Sequence, residues 1–358
     1  MAFLLIAIAA VIPDPVVFPF RHALVQALVA AGLFAGVASF AKRRFWQAAL
    51  FASCSALAMW QAAQPGIDRR SVLARTDADA FNIERHFVVG YDDLAAAEEL
   101  ELVRSGQIGG VFLTRRNVAG RTVAQVASQI DRLQAIRRDV GLPRLIVAAD
   151  QEGDPVSRVS PPLPKPPALS TISALEADER QPAARRLGVA QGLALRQIGV
   201  SMDLAPVSDL TPRQAASVFD RNTRIATRSI SADPTVIAAV AAGFSAGLIS
   251  VGITPTAKHF PGLGRVAQDT HLFSASLDAS TADLSASDWL PFRAVLDLPS
   301  AAVMLSHVAL ANVDPDVPVS RSKRVVDDML RKQRGFAGIA ITDDLTMGRS
   351  STRVCAAR

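Results

Sequence analysis

The residues that could do chemistry are most concentrated between Ala257 and His271, a stretch that reads AKHFPGLGRVAQDTH. It brings together Lys258, His259, Asp269 and His271, and it holds two of the five histidines of the chain. A histidine can transfer protons near neutral pH, and Asp269 could bond one ring nitrogen of His271 and raise the basicity of the ring. The stretch is therefore predicted to form the rim of an active site.

Other polar side chains are predicted to lie at the ends of strands. Asp150 follows one predicted strand and Asp343 follows another. Asp343 would act as a nucleophile or an electrostatic stabiliser, and Arg228 and Lys258 would bind substrate oxygens. These residue types suit glycosyl transfer to water, but they also suit acyl or phosphoryl transfer. The remaining candidates at strand ends are Glu152, Asp209, His307 and Asp344.

An alternation of strand and helix patterns is predicted to position these side chains. The predicted strands are His86–Tyr91, Ile108–Thr114, Arg144–Ala149, Val200–Val207, Ile253–Ala257, Ala302–His307 and Gly338–Thr342. The predicted helices between them are Asp93–Ser105, Val123–Asp139, Pro182–Ile198 and Pro234–Val251. Such alternation is typical of an α/β fold closed as a TIM-like (β/α)8 barrel, in which active sites lie at the carboxyl ends of the strands. A doubly wound sheet is the alternative, although no GxGxxG motif follows the first strand.

The N-terminal part of the chain is predicted to form a transmembrane helical hairpin. Ala23–Ala41 and Phe45–Ala63 carry no charge, and each is long enough to cross a hydrocarbon core of about 30 Å. Lys42–Arg44 between them would lie in the cytoplasm by the positive-inside rule. The rest of the chain would then lie on the extracytoplasmic side of the membrane. A buried helical hairpin in a soluble protein is the alternative.

Composition agrees with three regions: membrane-spanning residues 1–63, a polar linker at residues 64–80 and a barrel at residues 81–358. The mean hydropathy is +0.25, and the apolar excess lies mostly in the first region. The formal net charge of +5 suits an anionic glycan or a membrane surface, and a plain basic surface explains it equally well. The two cysteines, Cys54 and Cys355, indicate neither a disulfide framework nor a zinc site. We expect no metal, no cofactor and no nucleic-acid partner.

Six motifs resemble, in order, those of glycoside hydrolase family 3 in its bacterial β-N-acetylglucosaminidase branch. Ala257–His271 is similar to the family motif KHFPGxG followed by D-[ST]-H, and Ile341–Met347 (ITDDLTM) is similar to SDDLxM. The other four motifs are Gln107–Asn117, Val147–Val159, Gly199–Asp209 and Arg228–Pro234. Six motifs in the same order are far more specific than one motif alone.

The resemblance implies a role for each matching residue. Asp343 would be the nucleophile that forms a covalent glycosyl-enzyme, and His271, paired with Asp269, would be the acid/base of a retaining mechanism. The implied substrate is a terminal β-linked N-acetylglucosamine, as on a peptidoglycan fragment or muropeptide in a bacterium. Hydrolysis is the implied reaction, and phosphorolysis is an alternative. The residues implied to bind the sugar are Asp150, Arg228, Lys258 and His259.

The chain departs from the family at three places. Gly153–Pro155 reads GDP where the family has GGR, and Leu263 stands where the family often has histidine. After Met347 the chain reads GRSSTRVCAAR, where the family continues with an eighth βα unit. We therefore expect a barrel truncated before that unit, with reduced stability or activity unless another chain supplies it. A family 3 β-glucosidase-like exo-hydrolase and a non-catalytic or vestigial membrane-anchored glycan-binding protein are the alternative functions.

Overall fold

The computed structural model describes residues 83–91, 96–212, 223–266, 269–270, 275–345 and 347, together with residues 45–46, 53 and 56. The elements described below belong to one unit, Ala78–Leu345. His271 and nearly all of the two predicted membrane spans lie outside the described residues. Within the described part of the chain, no helix is both long enough and apolar enough to cross a membrane.

In the part of the chain that the structure describes, seven parallel strands form one curled sheet in the order in which they occur in the chain. They are β1 (Val88–Gly90), β2 (Gly110–Leu113), β3 (Ile146–Ala149), β4 (Met202–Asp203), β5 (Thr254–Phe260), β7 (Ala302–Leu305) and β10 (Ile339–Thr342). This order confirms the predicted α/β fold and excludes a doubly wound sheet, in which the strand order reverses at a switch point. Within the described residues, β1 and β10 are the two edge strands of this sheet, because β1 pairs only with β2 and β10 pairs only with β7. The sheet is therefore an open half-barrel.

Helices connect the parallel strands, as parallel connections require. They are α1 (Ala97–Ser105), α2 (Arg115–Val118), α3 (Val123–Asp139), α4 (Ala177–Gln197), α5 (Ile225–Arg228), α6 (Pro234–Ser250), α7 (Thr281–Ala286) and α8 (Trp289–Leu296). Local sequence explains where two of them begin. Thr122 and Gln125 form a capping box at the start of α3, and the Asp233 side chain caps α6 ahead of Pro234.

Apolar side chains cover both faces of the sheet. The larger core lies between the strands and the helices and includes Val111, Leu133 and Phe244, which are fully buried or nearly so. A smaller cluster, of Ala148, Met202, Leu204, Ala302 and Met304, joins side chains from neighbouring strands. Alternating side chains of a strand point to opposite faces, so a sheet buried on both faces has strands that are apolar throughout.

The register of the strands brings their carboxyl ends to one edge of the sheet. Ala257 in β5 pairs with Val303 in β7, and Leu305 in β7 pairs with Thr342 in β10. Asp343, which follows Thr342, is therefore at the same edge as the end of β5. Barrel active sites lie at this edge.

Some predicted boundaries were wrong. Helix α4 begins at Ala177 and contains Pro182, which was predicted to start it. Strand β4 is limited to Met202–Asp203, with Val207 in an isolated bridge, because Pro206 has no N–H for the ladder. Strand β5 continues to Phe260, beyond the predicted end.

A small second sheet was not predicted. It consists of β6 (Ser276–Leu277), β8 (Ala309–Leu310) and β9 (Asp314–Pro318). Two of these strands have two residues each, and β9 contains two prolines. Strands this short carry too few residues for a recognisable alternating pattern.

Candidate active site

Lys258 and His259 lie near the carboxyl end of β5, so a strand and not a loop positions both side chains. Lys258 Nζ lies 2.6 Å from Asp150 Oδ1 and 2.7 Å from Glu152 Oε1. The lysine is only 2% exposed. Burial alone would lower the pKa of Lys258, but the carboxylates of Asp150 and Glu152 raise it above its ordinary value. Lys258 is therefore a buried cation held between two carboxylates that follow β3.

Glu152 binds a second cation, Arg228, at the end of α5. Arg228 Nε donates to Glu152 Oε2 at 2.8 Å and Nη2 donates to Oε1 at 2.6 Å, which is a bidentate pair. Burial alone would raise the pKa of Glu152, but Lys258 and Arg228 lower it to about 2. Burial also acts to lower the pKa of Arg228, and Glu152 raises it overall. With Asp150, these residues form a charge array in which two anions balance two cations.

His259 is fixed by Asp209 on one side and Arg228 on the other. Its ring Nδ1 lies 2.6 Å from Asp209 Oδ2, and its ring Nε2 lies 3.2 Å from Arg228 Nη2. Because the guanidinium only donates, Nε2 accepts and Nδ1–H donates to the carboxylate. Asp209, which is fully buried, also accepts from the backbone N–H of Leu263 at 2.7 Å. One carboxylate thus fixes both the histidine ring and the loop after β5.

Asp343 lies directly after β10, and its backbone is held on both sides. Its N–H donates to Leu305 O at 2.9 Å. The next residue, Asp344, donates its N–H to Asp343 Oδ1 at 2.9 Å and accepts at its carbonyl from His307 Nε2 at 2.9 Å. His307 Nδ1 lies 2.7 Å from Ser320 Oγ, which fixes the ring. The backbone of Asp343 and Asp344 is therefore tied to Leu305 in β7 and to His307, and the Asp343 carboxylate accepts from the N–H of Asp344.

Asp269 is buried, with 1% of its surface exposed. The hydroxyl Oγ1 of Thr223 donates to Asp269 Oδ1 at 3.0 Å. The carbonyl oxygen of Thr223 accepts from Arg228 Nη1 at 2.8 Å. Asp269 is thus joined to the charge array through one intervening residue. His271 lies outside the described residues, so the pairing of His271 with Asp269 stays a prediction.

A further buried carboxylate, Asp203 in β4, lies beneath the segment that follows β3. Its Oδ1 accepts from the backbone N–H of Gln151 at 3.2 Å, and its Oδ2 accepts from Gln191 Nε2 at 2.7 Å. Burial raises the pKa of Asp203 to about 8, against the opposing effect of these two donors and of Lys258. Asp203 therefore supports the backbone between Asp150 and Glu152.

The four residues predicted to bind substrate are joined by direct contacts in the structure. Asp150, Lys258 and Arg228 are members of the array, and His259 lies next to Lys258 on β5 and 3.2 Å from Arg228. Their role toward a substrate stays a prediction. Glu152 and Asp209 were recognised only as acids at strand ends, yet Glu152 pairs with both cations of the array and Asp209 fixes the ring of His259.

Asp203 and Gln191 were not identified as candidates from the sequence. For Asp203 the available signal was a polar residue within an apolar strand, and for Gln191 it was a polar residue on the buried face of a helix. Among the described residues, no group of three or more His, Cys, Asp or Glu side chains is arranged to hold a metal ion.

Comparison with curated proteins finds β-hexosaminidases. The chain is 36% identical over 257 residues to the β-hexosaminidase of Stenotrophomonas maltophilia strain K279a. The aligned region covers 71% of this chain and 72% of that protein. It is 32% identical over 245 residues to the β-hexosaminidase of Nitrosomonas eutropha, covering 67% of this chain and 66% of that protein.

Comparison with solved structures finds proteins of similar fold that include a family 3 β-N-acetylglucosaminidase. NagZ of Neisseria gonorrhoeae superposes with a TM-score of 0.65 at 30% identity, over 73% of this chain and 74% of that chain. A family 3 β-N-acetylglucosaminidase of Paenibacillus sp. strain FPU-7 superposes with a TM-score of 0.68 at 26% identity, over 76% of this chain. The match spans only 50% of the length of the Paenibacillus protein. Residues 83–358 match the model of the glycosyl hydrolase family 3 N-terminal domain, and the chain therefore belongs to glycoside hydrolase family 3.

Proposed function

We propose that the chain is a retaining, exo-acting β-N-acetylglucosaminidase. The observation that carries the proposal is the balanced array of Asp150, Lys258, Glu152 and Arg228 at the same edge of the sheet as Asp343. Relatives named β-hexosaminidases support a hexosamine as the sugar, and the similar family 3 β-N-acetylglucosaminidase of Paenibacillus supports N-acetylglucosamine.

The array suits the recognition of a neutral sugar with many hydroxyl groups. Asp150 keeps 21% of its side chain exposed, whereas Lys258 and Glu152 behind it keep only 2% and 4%. Asp150 is therefore the member of the array that can accept a hydrogen bond from a hydroxyl group of a bound sugar. Lys258, which donates to Asp150 Oδ1 at 2.6 Å, fixes the orientation of Asp150, so a sugar does not have to order it on binding.

In the first step, Asp343 attacks the anomeric carbon of the sugar while His271 donates its proton to the leaving oxygen. The bond from the anomeric carbon to the aglycone breaks, and a covalent bond to Asp343 replaces it. His271, now neutral, then takes a proton from water, which attacks the same carbon and releases Asp343. Two inversions give net retention, and Asp269 holds the His271 ring through both steps.

The experiment uses the full chain with 4-nitrophenyl β-N-acetylglucosaminide. We expect turnover in the wild type, loss of turnover in Asp343→Asn and His271→Ala, and a β-configured first product by NMR. Thr227→Val, which alters an exposed side chain on α5, is the control for handling and folding. Wild-type turnover no higher than that of Asp343→Asn would overturn the enzyme proposal and leave a glycan-binding protein.

Two variations of this assay separate the remaining activities. A chromogenic β-glucoside hydrolysed faster than the N-acetylglucosaminide would indicate a β-glucosidase-like enzyme instead. Added inorganic phosphate that diverts the product to a sugar 1-phosphate would indicate phosphorolysis.

We also propose that residues 1–63 anchor the chain in a bacterial membrane, with the family 3 domain on the extracytoplasmic side and a peptidoglycan fragment or muropeptide as substrate. The uncharged runs Ala23–Ala41 and Phe45–Ala63 and the basic Lys42–Arg44 between them support this placement. A periplasmic reporter fused after Arg75 should be active. A silent reporter there, with an active reporter at Lys42, would reverse the orientation.

A further inference from the structure

Thr223 lies between two parts of the candidate site that are far apart in sequence. Its hydroxyl donates to Asp269 Oδ1 at 3.0 Å, and its carbonyl oxygen accepts from Arg228 Nη1 at 2.8 Å. Thr223 is 5% exposed and Asp269 is 1% exposed, so water competes little for either hydrogen bond. One residue therefore joins the proposed acid/base loop to a proposed sugar-binding side chain.

The local backbone fixes the direction of Thr223. The next residue, Arg224, has a φ of 44° and serves as the N-cap of α5. A non-glycine residue in the left-handed region is held there by its surroundings. Ile225, which follows, is buried with 3% of its surface exposed and anchors the start of the helix. Thr223 consequently enters the site at a position that α5 determines.

We propose that Thr223 is a positioning residue for the Asp269–His271 acid/base pair; this inference rests on the proposed function. A hydroxyl that donates to a buried carboxylate fixes the plane of that carboxylate and stabilises its ionised form. Asp269 needs both properties to hold a ring nitrogen of His271 and raise its basicity. Thr223 touches no substrate atom in this role and acts only through Asp269.

The geometry separates the effect of the side chain from that of the backbone. Valine has nearly the shape of threonine, so Thr223→Val removes the hydroxyl donor and keeps the carbonyl that Arg228 binds. Sugar binding through Arg228 should therefore survive the substitution, while proton transfer should suffer. A residue that only stabilised the fold would not produce this separation.

The test compares two substrates of the full chain that differ in their need for a proton. Phenyl β-N-acetylglucosaminide has a leaving group that must be protonated, and 2,4-dinitrophenyl β-N-acetylglucosaminide has one that departs without a proton. We expect Thr223→Val to lower kcat/KM about tenfold on the phenyl substrate, with KM little changed, and to leave kcat/KM on the dinitrophenyl substrate nearly at the wild-type value.

Matched variants complete the design. Thr223→Ser keeps the hydroxyl and should restore kcat/KM on the phenyl substrate. Thr227→Val removes an exposed hydroxyl that bonds Arg224 O in the same short helix, and both substrates should react as with the wild type. If Thr223→Val does not fold, as judged by its thermal melt, Thr223→Ala is measured in its place.

Two failures can be told apart. If Thr223→Val loses the same factor on both substrates, or on neither, Thr223 does not act through proton transfer and the inference is overturned. Asp269→Asn is measured in parallel: if it shows no selective loss on the phenyl substrate, the acid/base assignment of the proposed function is wrong instead.

Discussion

Glu152 and Asp203 are both buried near the carboxyl end of β3, yet their surroundings shift their pKa values in opposite directions. Burial alone would raise both values. Glu152 has Lys258 and Arg228 in direct contact, and these cations lower its pKa to about 2. Asp203 has only neutral donors, from Gln151 and Gln191, in direct contact, and burial raises its pKa to about 8. Paired charges, and not burial, therefore decide which carboxylate of this region carries charge at neutral pH.

The central position of Glu152 leads to a prediction about stability. Glu152→Gln leaves Lys258 and Arg228 buried with one anion fewer, so we expect the free energy of unfolding at pH 7 to fall by roughly 3 kcal/mol. The folded-state pKa of Glu152, about 2, lies below the unfolded value of about 4.3. The stabilisation by Glu152 is therefore complete above pH ~4.3 and is lost as the pH falls toward 2. Urea denaturation from pH 7 to pH 3 measures it.

A matched variant tests whether the cluster or charge removal in general is responsible. Asp154 pairs with Lys165 at 2.7 Å in the same loop, but the side chains of Asp154 and Lys165 are 59% and 53% exposed. Solvent screens such a pair, so Asp154→Asn should unfold like the wild type. A Glu152→Gln variant with a deficit that stays constant down to pH 3 would contradict the assignment of the depressed pKa to Glu152.

At the level of elements, the sequence patterns predicted the architecture well and the site only in part. All seven strands of the large sheet were predicted in the correct order, because parallel strands buried on both faces are continuous apolar runs. Helix α3, Val123–Asp139, was predicted at its observed bounds, and the structure shows that a capping box stabilises its start.

The contacts within the site could not be predicted in the same way. The pairing of Glu152 with both Lys258 and Arg228 joins residues that are distant in sequence. A strand-end position predicts only which edge of the sheet a side chain reaches, and side-chain conformation decides which residue it contacts there. Only the structure therefore shows that Glu152, and not Asp150, is the anion that contacts both Lys258 and Arg228.

The contact between α4 and α6 depends on glycines, which leads to a prediction for these elements. A Cβ added at Gly188 in α4 would lie 2.2 Å from Phe244 O in α6, a backbone atom that cannot rotate away. Gly188→Ala should push the two helices apart and lower the free energy of unfolding by about 1–3 kcal/mol, in spite of the higher helix propensity of alanine. Chemical denaturation of the full chain measures the change.

The chain offers a control for this substitution. A Cβ added at Gly90 would lie 3.7 Å from its nearest neighbour, Phe112 Cδ1, which is an ordinary contact. Gly90→Ala should therefore cost far less stability than Gly188→Ala. Equal effects of the two substitutions would show that helix separation is not the cause.

At the level of the whole molecule, the candidate site exists only when distant parts of the chain are folded together. Asp150 follows β3, Lys258 lies in β5 and Asp343 follows β10. Each pair of these strands is connected through intervening strands of one sheet. A ligand that contacts all three positions binds the folded state and not the unfolded chain, so it must stabilise the domain as a unit.

This coupling predicts that ligand binding and turnover can be separated. N-acetylglucosamine at roughly one hundred times its Kd should raise the free energy of unfolding by about 2.7 kcal/mol. Asp343→Asn should keep this stabilisation while losing turnover, and Asp150→Asn, which removes the exposed acceptor of the array, should lose most of it. Thermal melts with N-acetylglucosamine, and with glucose as the control sugar without an acetamido group, measure both effects. Equal stabilisation by glucose would contradict the proposed sugar, and no stabilisation by either sugar would count against both the enzyme and the glycan-binding protein.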